Sequence, residues 1–155
     1  RRYPAAFERF TPACSNDDLN RCTRAQIVNA YDNALVYTDH VLARLIATLA
    51  ARSASVDSAM VYVSDHGESL GEKGLMLHGM PHAIAPAEQL RVPMVMWWTP
   101  AFGARLGLDV ACLRERARSA VAHDHLFHTL LALVNVRTAL AEPALDLTRG
   151  CVAPA

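Results

Sequence analysis

An α/β fold, a sheet flanked by helices, is predicted by three features of this 155-residue chain. Apolar residues recur at helical spacing from Ile27 to Leu49. That run leads into a short β-branched and aromatic stretch, residues 60–63 (MVYV). A second continuous apolar run at 92–98 (VPMVMWW) has no alternation, as in a parallel strand buried on both faces. Helix followed by buried strand argues for crossover connections. Sheets of that kind carry their sites at the C-terminal ends of strands.

Composition narrows the function classes. Fifteen Lys+Arg balance fifteen Asp+Glu, so the formal net charge is zero, and 52% apolar residues are enough for the core of one domain. No basic run or aromatic-basic interleaving is present, which argues against a surface that tracks nucleic-acid phosphates. Asp, His and Arg interrupt every apolar stretch short of the roughly 20 residues of a membrane span. The opening RRYPAAFERF is no signal peptide, because Tyr3, Pro4 and Glu8 stand where an apolar segment would be; it reads as a chain entered in mid-domain.

Taken in order, the first element is a polar loop, SNDDLNR, flanked by Cys14 and Cys22. Their spacing suits neither C-x-x-C redox chemistry nor a zinc finger, and a local disulfide contributing roughly 2.5 kcal/mol is the better reading. A helix starts next: Thr23 with Gln26 forms a capping box, and Ile27, Tyr31, Ala34, Thr38, Leu42, Leu45 and Leu49 make its buried stripe. Asn29, Asp32, Asp39, His40 and Arg44 fall away from that stripe, on a solvated face. The helix ends between Arg52 and Ser55.

The strand at 60–63 then breaks into Ser64, Asp65, His66 and Gly67. Neighbouring strand residues point to opposite faces, so Asp65 and His66 converge on one ion only if the backbone leaves strand geometry, and Gly67 makes such a turn cheap. Glycines at 67, 71 and 74 precede a further imidazole, His78. Carboxylate and imidazole donors suit zinc. The segment from Gly79 through Pro81 and Pro86 cannot run as one regular element and is too apolar for disorder, so it is read as a loop wrapping the metal site. In the strand at 92–98, Pro93 is tolerated near the start, and Trp97 and Trp98 are core or sheet-edge residues.

The last third is an Arg-rich helix at 112–121, with Arg114, Arg116 and Arg118 solvated, and a helix through Leu126, Leu130, Leu133 and Val134 with Asp124 as N-cap. His125 and His128 share a helical face near His123, yet no carboxylate or thiol completes a ligand set. The tail from 142 to 155 docks and then frays. Cys112 and Cys151 are either the second bridge or two free buried thiols; one bridge already implies an oxidising compartment.

The string SDHGESLGE, followed by LHG at 77–79 and VPM at 92–94, resembles the metal-binding segment of the alkaline phosphatase and sulfatase superfamily. More narrowly it resembles the lipid A phosphoethanolamine transferases, which include the mobile colistin-resistance enzymes. The resemblance implies a sulfatase-like α/β sheet of which these 155 residues are the C-terminal portion, the membrane domain and the first part of the catalytic domain lying upstream. It also supports a bridged Cys14–Cys22 loop. It implies zinc held by Asp65 and His66, together with a Glu and the nucleophilic Thr. Phosphoethanolamine then passes from phosphatidylethanolamine to that Thr and on to lipid A, in a periplasmic domain anchored at the inner membrane. His78 takes the role of the histidine that contacts phosphoethanolamine or a second zinc, and is the candidate catalytic residue. Glu68 is a candidate for the same contact, or for orienting a ligand. The nucleophile and the ligand Glu have no match here, since no threonine stands in the family's context. A chain of this extent alone would not turn over, and half a sheet leaves an edge prone to association. Two other readings remain: a sulfatase-fold transferase or hydrolase acting on another lipid or a glucan, and a non-catalytic fragment that binds zinc or a partner.

Overall fold

In the computed structural model, which describes residues 2–153, the chain forms two compact units: Arg1–Arg52 with Met60–Trp97, and Ser53–Ala59 with Trp98–Ala155.

The first unit is built on helix α1 (Arg24–Ala51). Its start is the expected capping box: the Thr23 hydroxyl accepts from the Gln26 N–H, and the Gln26 side chain accepts from the Thr23 N–H at 2.8 Å. Cys14 and Cys22 are bridged, and Cys14 N–H donates to Gln26 O at 2.9 Å, so the disulfide loop is tied to the first turn. Of the predicted stripe only Ile27 is buried; most of the rest is half-buried and Leu45 is exposed. A polar residue does what the stripe was expected to do. Asn33, wholly buried, accepts from the N–H groups of Arg9 and Phe10 and donates to Phe10 O and the Tyr3 hydroxyl. His40 is exposed, as expected, with its ring tilted against Phe7 at a centroid distance of 4.8 Å; Phe7 also meets Tyr37. By length and composition α1 could cross a membrane. Its Asp32, Asp39 and Arg44, with the Asn33 hub, fit a helix packed in a protein instead.

Strands β1 (Ala59–Val63) and β4 (Met94–Trp98) pair with each other. Ser64 N–H, just past the end of β1, bonds Pro93 O, just before the start of β4, so the two run antiparallel rather than in the expected parallel sense. A continuous apolar run reports burial but not direction. Burial itself is partial: Met60 is buried while Val95 is 42% exposed, since this sheet has only two strands among the described residues. Between them, β2 (Ser69–Leu70) and β3 (Met76–Leu77) make a small antiparallel hairpin, and a single turn, α2 (Ala87–Leu90), precedes β4. Arg24, at the head of α1, holds the hairpin through Leu70 O at 3.0 Å and Glu72 at 2.7 Å.

The second unit contains α3 (Pro100–Leu106), α4 (Val110–Arg116) and α5 (Asp124–Leu133). α3 was not foreseen, although Pro100 at its first position and the left-handed Gly107 just after it are its start and stop. α4 begins earlier than expected, where Asp109 accepts from the N–H groups of Ala111 and Cys112, and ends at Arg116 rather than Val121. The N-cap position of α5 is His123, not Asp124, which is its first helical residue. Cys112 and Cys151 are bonded, which settles the open alternative. The tail docks as expected: Leu147, Thr148 and Cys151 are buried, and the buried Thr129 hydroxyl accepts from Leu147 N–H. Its final two residues, 154 and 155, lie outside the described ones. Arg116 is not solvated but donates to Leu147 O and Arg149 O.

Candidate metal centre

The chain leaves strand geometry directly after Val63, as convergence of Asp65 and His66 requires. The Ser64 hydroxyl donates to His66 O at 2.9 Å and the His66 N–H to Asp65 Oδ1 at 3.0 Å, folding the segment back on itself. Asp65 Oδ2 then lies 3.7 Å from His66 Nε2. The backbone N–H of His66, and after it the Asp65 N–H and the imidazole, hold the exposed Asp65 carboxyl below the ordinary carboxylate range. It is therefore charged at neutral pH.

Gly67 is needed for a different reason from the one expected. It is not among the residues with positive φ; instead its N–H donates to Gln89 O at 3.0 Å, and a Cβ there would overlap the Glu88 carbonyl oxygen. The loop after His78 closes on the site through this contact. Gln89 is itself buried, donating to Ser69 Oγ and accepting from Met80 N–H. The hairpin brings His78 back towards Glu68, with Leu77, immediately before it, in the left-handed region at φ 62°.

Three side chains come together: His66, Glu68 and His78 each offer a ligand atom within 4.8 Å of the others. The two imidazoles stack with centroids 3.7 Å apart. His66 Nδ1 lies 2.9 Å from Gly67 O; a carbonyl can only accept, so the proton is on Nδ1 and Nε2 keeps its lone pair. His78 Nδ1 lies 2.8 Å from Glu68 Oε1, with the same consequence for that ring when neutral. The second carboxylate oxygen, Glu68 Oε2, is buried with no hydrogen-bond partner. An unpaired buried carboxylate oxygen is costly unless a cation meets it, so the donor set fits a first-row metal such as zinc. Asp65 stands at the exposed edge of this group. Tyr31 of α1, which the helical pattern marked only as packing, belongs to the surroundings: burial first, then the Glu68 charge, push its phenol above the usual tyrosine range.

Among the described residues, His125 and His128 are not part of a second ligand cluster. His125 Nδ1 meets the Ala122 backbone and His128 Nδ1 accepts from Glu142 N–H, so each fixes a different stretch of main chain.

Comparison with known proteins gives this geometry a family. The chain is 42% identical over 151 residues to phosphoethanolamine transferase EptA of Escherichia coli K12, covering 97% of this chain and 28% of that protein. It is also 42% identical over 137 residues to phosphatidylethanolamine transferase Mcr-1 of Escherichia coli, covering 88% and 24%. The chain thus spans about a quarter of the length of these two curated relatives. The crystal structure of the soluble domain of lipooligosaccharide phosphoethanolamine transferase A from Neisseria meningitidis superimposes with a TM-score of 0.93 at 42% identity, over 98% of this chain and 46% of that one. The α/β fold class is therefore that of these domains, present in part. Since the sulfatase family profile matches residues 1–136, the chain belongs to the sulfatase family.

Proposed function

We propose that the chain is the C-terminal, metal-binding portion of a sulfatase-fold catalytic domain that transfers phosphoethanolamine from phosphatidylethanolamine to lipid A, with zinc as its metal. In this reading the domain lies in the periplasm and is held at the inner membrane by a further, N-terminal domain. The observation that carries the reading is the His66–Glu68–His78 group with its unpaired carboxylate oxygen. Relatives named for transfer of phosphoethanolamine to lipooligosaccharide, or for phosphatidylethanolamine transfer, support the substrates.

Zinc, when bound, would polarise a phosphoryl oxygen and lower the pKa of a hydroxyl nucleophile. Asp65, ionised at neutral pH, and His66, through Nε2, are the paired ligands in this reading, and the unpaired Glu68 Oε2 is a further donor for the same ion. Glu68 holds His78 by Nδ1, which leaves the Nε2 edge of that ring for the phosphoethanolamine phosphate. There the protonated ring donates a hydrogen bond to a phosphoryl oxygen, and the neutral ring can take up a proton. Phosphoryl transfer asks mainly for such positioning and charge neutralisation. The nucleophilic Thr and the Glu that completes the ligand set lie outside these 155 residues, so the chain alone does not turn over.

Calorimetric zinc titration tests the metal assignment. Asp65→Ala and His66→Ala should each weaken binding about tenfold or more; equal affinity in all three proteins would sink it. Mass spectrometry of lipid A from cells expressing the gene tests the substrates, and absence of the added phosphoethanolamine mass rules the acceptor out.

A further inference from the structure

We propose that the second unit carries an oxyanion pocket for a phosphate group, built from Arg116, Ser119, His125 and Arg149. These residues line an open, shallow cavity of ≈ 310 Å³. None of them belongs to the Asp65, His66, Glu68 and His78 set.

Arg116, in the last turn of α4, is fixed in direction. Its Nη1 donates to Leu147 O at 2.9 Å and Arg149 O at 2.6 Å, which uses two of the five guanidinium donors and leaves three in a rigid fork. Arg149 comes from the stretch that Arg116 grips, and its own side chain makes no hydrogen bond or ion pair among the described residues. Elsewhere in this unit Arg105 pairs with Asp57 and Arg118 with Glu115; Arg116 and Arg149 have no such ion pair among the described residues, and both line one cavity. His125 adds a donor. Nε2 carries a proton when Ala122 N–H donates to Nδ1 at 3.1 Å or when the ring is protonated; in the other neutral tautomer Nδ1 donates to Ala122 O, also at 3.1 Å, and Nε2 is an acceptor. The Ser119 hydroxyl is a further donor.

One carboxylate, Asp146, also lines the cavity. Its Oδ1 accepts from the Thr148 N–H and hydroxyl at 2.8 and 2.7 Å, so it is committed to its own turn. Two arginines against one aspartate leave the cavity net positive before His125 is counted. A planar carboxylate is satisfied by one guanidinium fork. Donors from two guanidiniums, a hydroxyl and an imidazole suit the several oxygens of a phosphate better. Free phosphate and a lipid headgroup phosphate share that chemistry.

The test is a ¹H–¹⁵N NMR titration of the whole chain with inorganic phosphate, at ionic strength held constant with chloride. Shifts should concentrate at residues 116–125 and 146–150. Arg149→Ala, which breaks no internal contact, should weaken binding about tenfold. Ser119→Ala should weaken it less, and Arg118→Ala, whose partner is Glu115, should leave it unchanged. Arg149→Ala binding like the parent, or shifts of equal size at Arg114, Arg118 and Arg137, would overturn the proposal. Co-flotation with phosphatidic acid vesicles but not phosphatidylcholine vesicles, lost in Arg149→Ala, assigns the phosphate to a lipid headgroup. Phosphate binding without flotation assigns it to a soluble phosphate.

Discussion

Two residues carry more of the first unit than their types suggest. Asn33 uses both donors and its carbonyl oxygen twice, replacing main-chain partners for Arg9 and Phe10 where no secondary structure supplies them. Asn33→Ala would leave those part-buried main-chain groups without their partner and open a void at a fully buried position. It should lower the unfolding free energy by about 2–4 kcal/mol, read from urea denaturation; a change within 0.5 kcal/mol, the usual range for surface sites, would show that the hub is replaceable by water. At Gly67 the limit is space. Because a Cβ would meet main chain, not a flexible side chain, Gly67→Ala should cost about 1–3 kcal/mol and weaken zinc binding, since the loop through Gln89 must shift. Both losses are measurable on one protein. His66 and His78 stand out in the sequence because the polar, glycine-spaced string that holds them resembles a metal-binding segment, where an Asp-His pair alone more often caps a turn. Glu68 ranked behind them in the sequence, and its standing comes from an oxygen whose burial no sequence displays.

At the scale of elements, closed loops and helix ends decide stability. Both disulfides are formed, closing separations of 8 and 39 residues. On the chain-entropy account the longer one contributes about 4 kcal/mol and the shorter roughly 2.5. Replacing Cys112 and Cys151 with serine should therefore lower the denaturation midpoint more than replacing Cys14 and Cys22, a difference thermal melts can read. The Arg24–Glu72 node at the head of α1 sets a pH dependence. Hydrogen bonds from the Glu72 and Leu70 N–H groups, then Arg24, hold the Glu72 carboxyl below its ordinary value. A carboxyl depressed by folding stabilises above its unfolded pKa, and that contribution is lost as pH falls through the folded value. Glu72→Gln should hence be less stable than the parent at neutral pH, with the gap closing in acid; a gap independent of pH would contradict the assignment. Elements with local signals were foreseen, such as the capping box of α1. The direction of β4 and the end of α4 were missed, because they depend on partners far along the chain.

For the whole molecule, metal binding and stability are linked. If zinc binds only the folded first unit, free zinc at a hundred times the dissociation constant should raise its unfolding free energy by about 2.7 kcal/mol, reversed by chelator. Amide exchange in the segment from Met60 to Trp97 reads this directly, and unchanged protection would contradict a folded-state site. The sequence by itself determined the α/β class, the α1 start, the Cys14–Cys22 loop and the polar string containing Asp65, His66, Glu68 and His78, since each rests on short-range spacing and residue chemistry. Tertiary structure decided which of those side chains meet: His78 returns to Glu68 through a hairpin, and Gly67 makes room for the Glu88 carbonyl. It also joined Cys112 to Cys151 and drew Arg116 onto the tail. Contacts across such separations follow from packing and loop closure, which spacing along the chain does not encode.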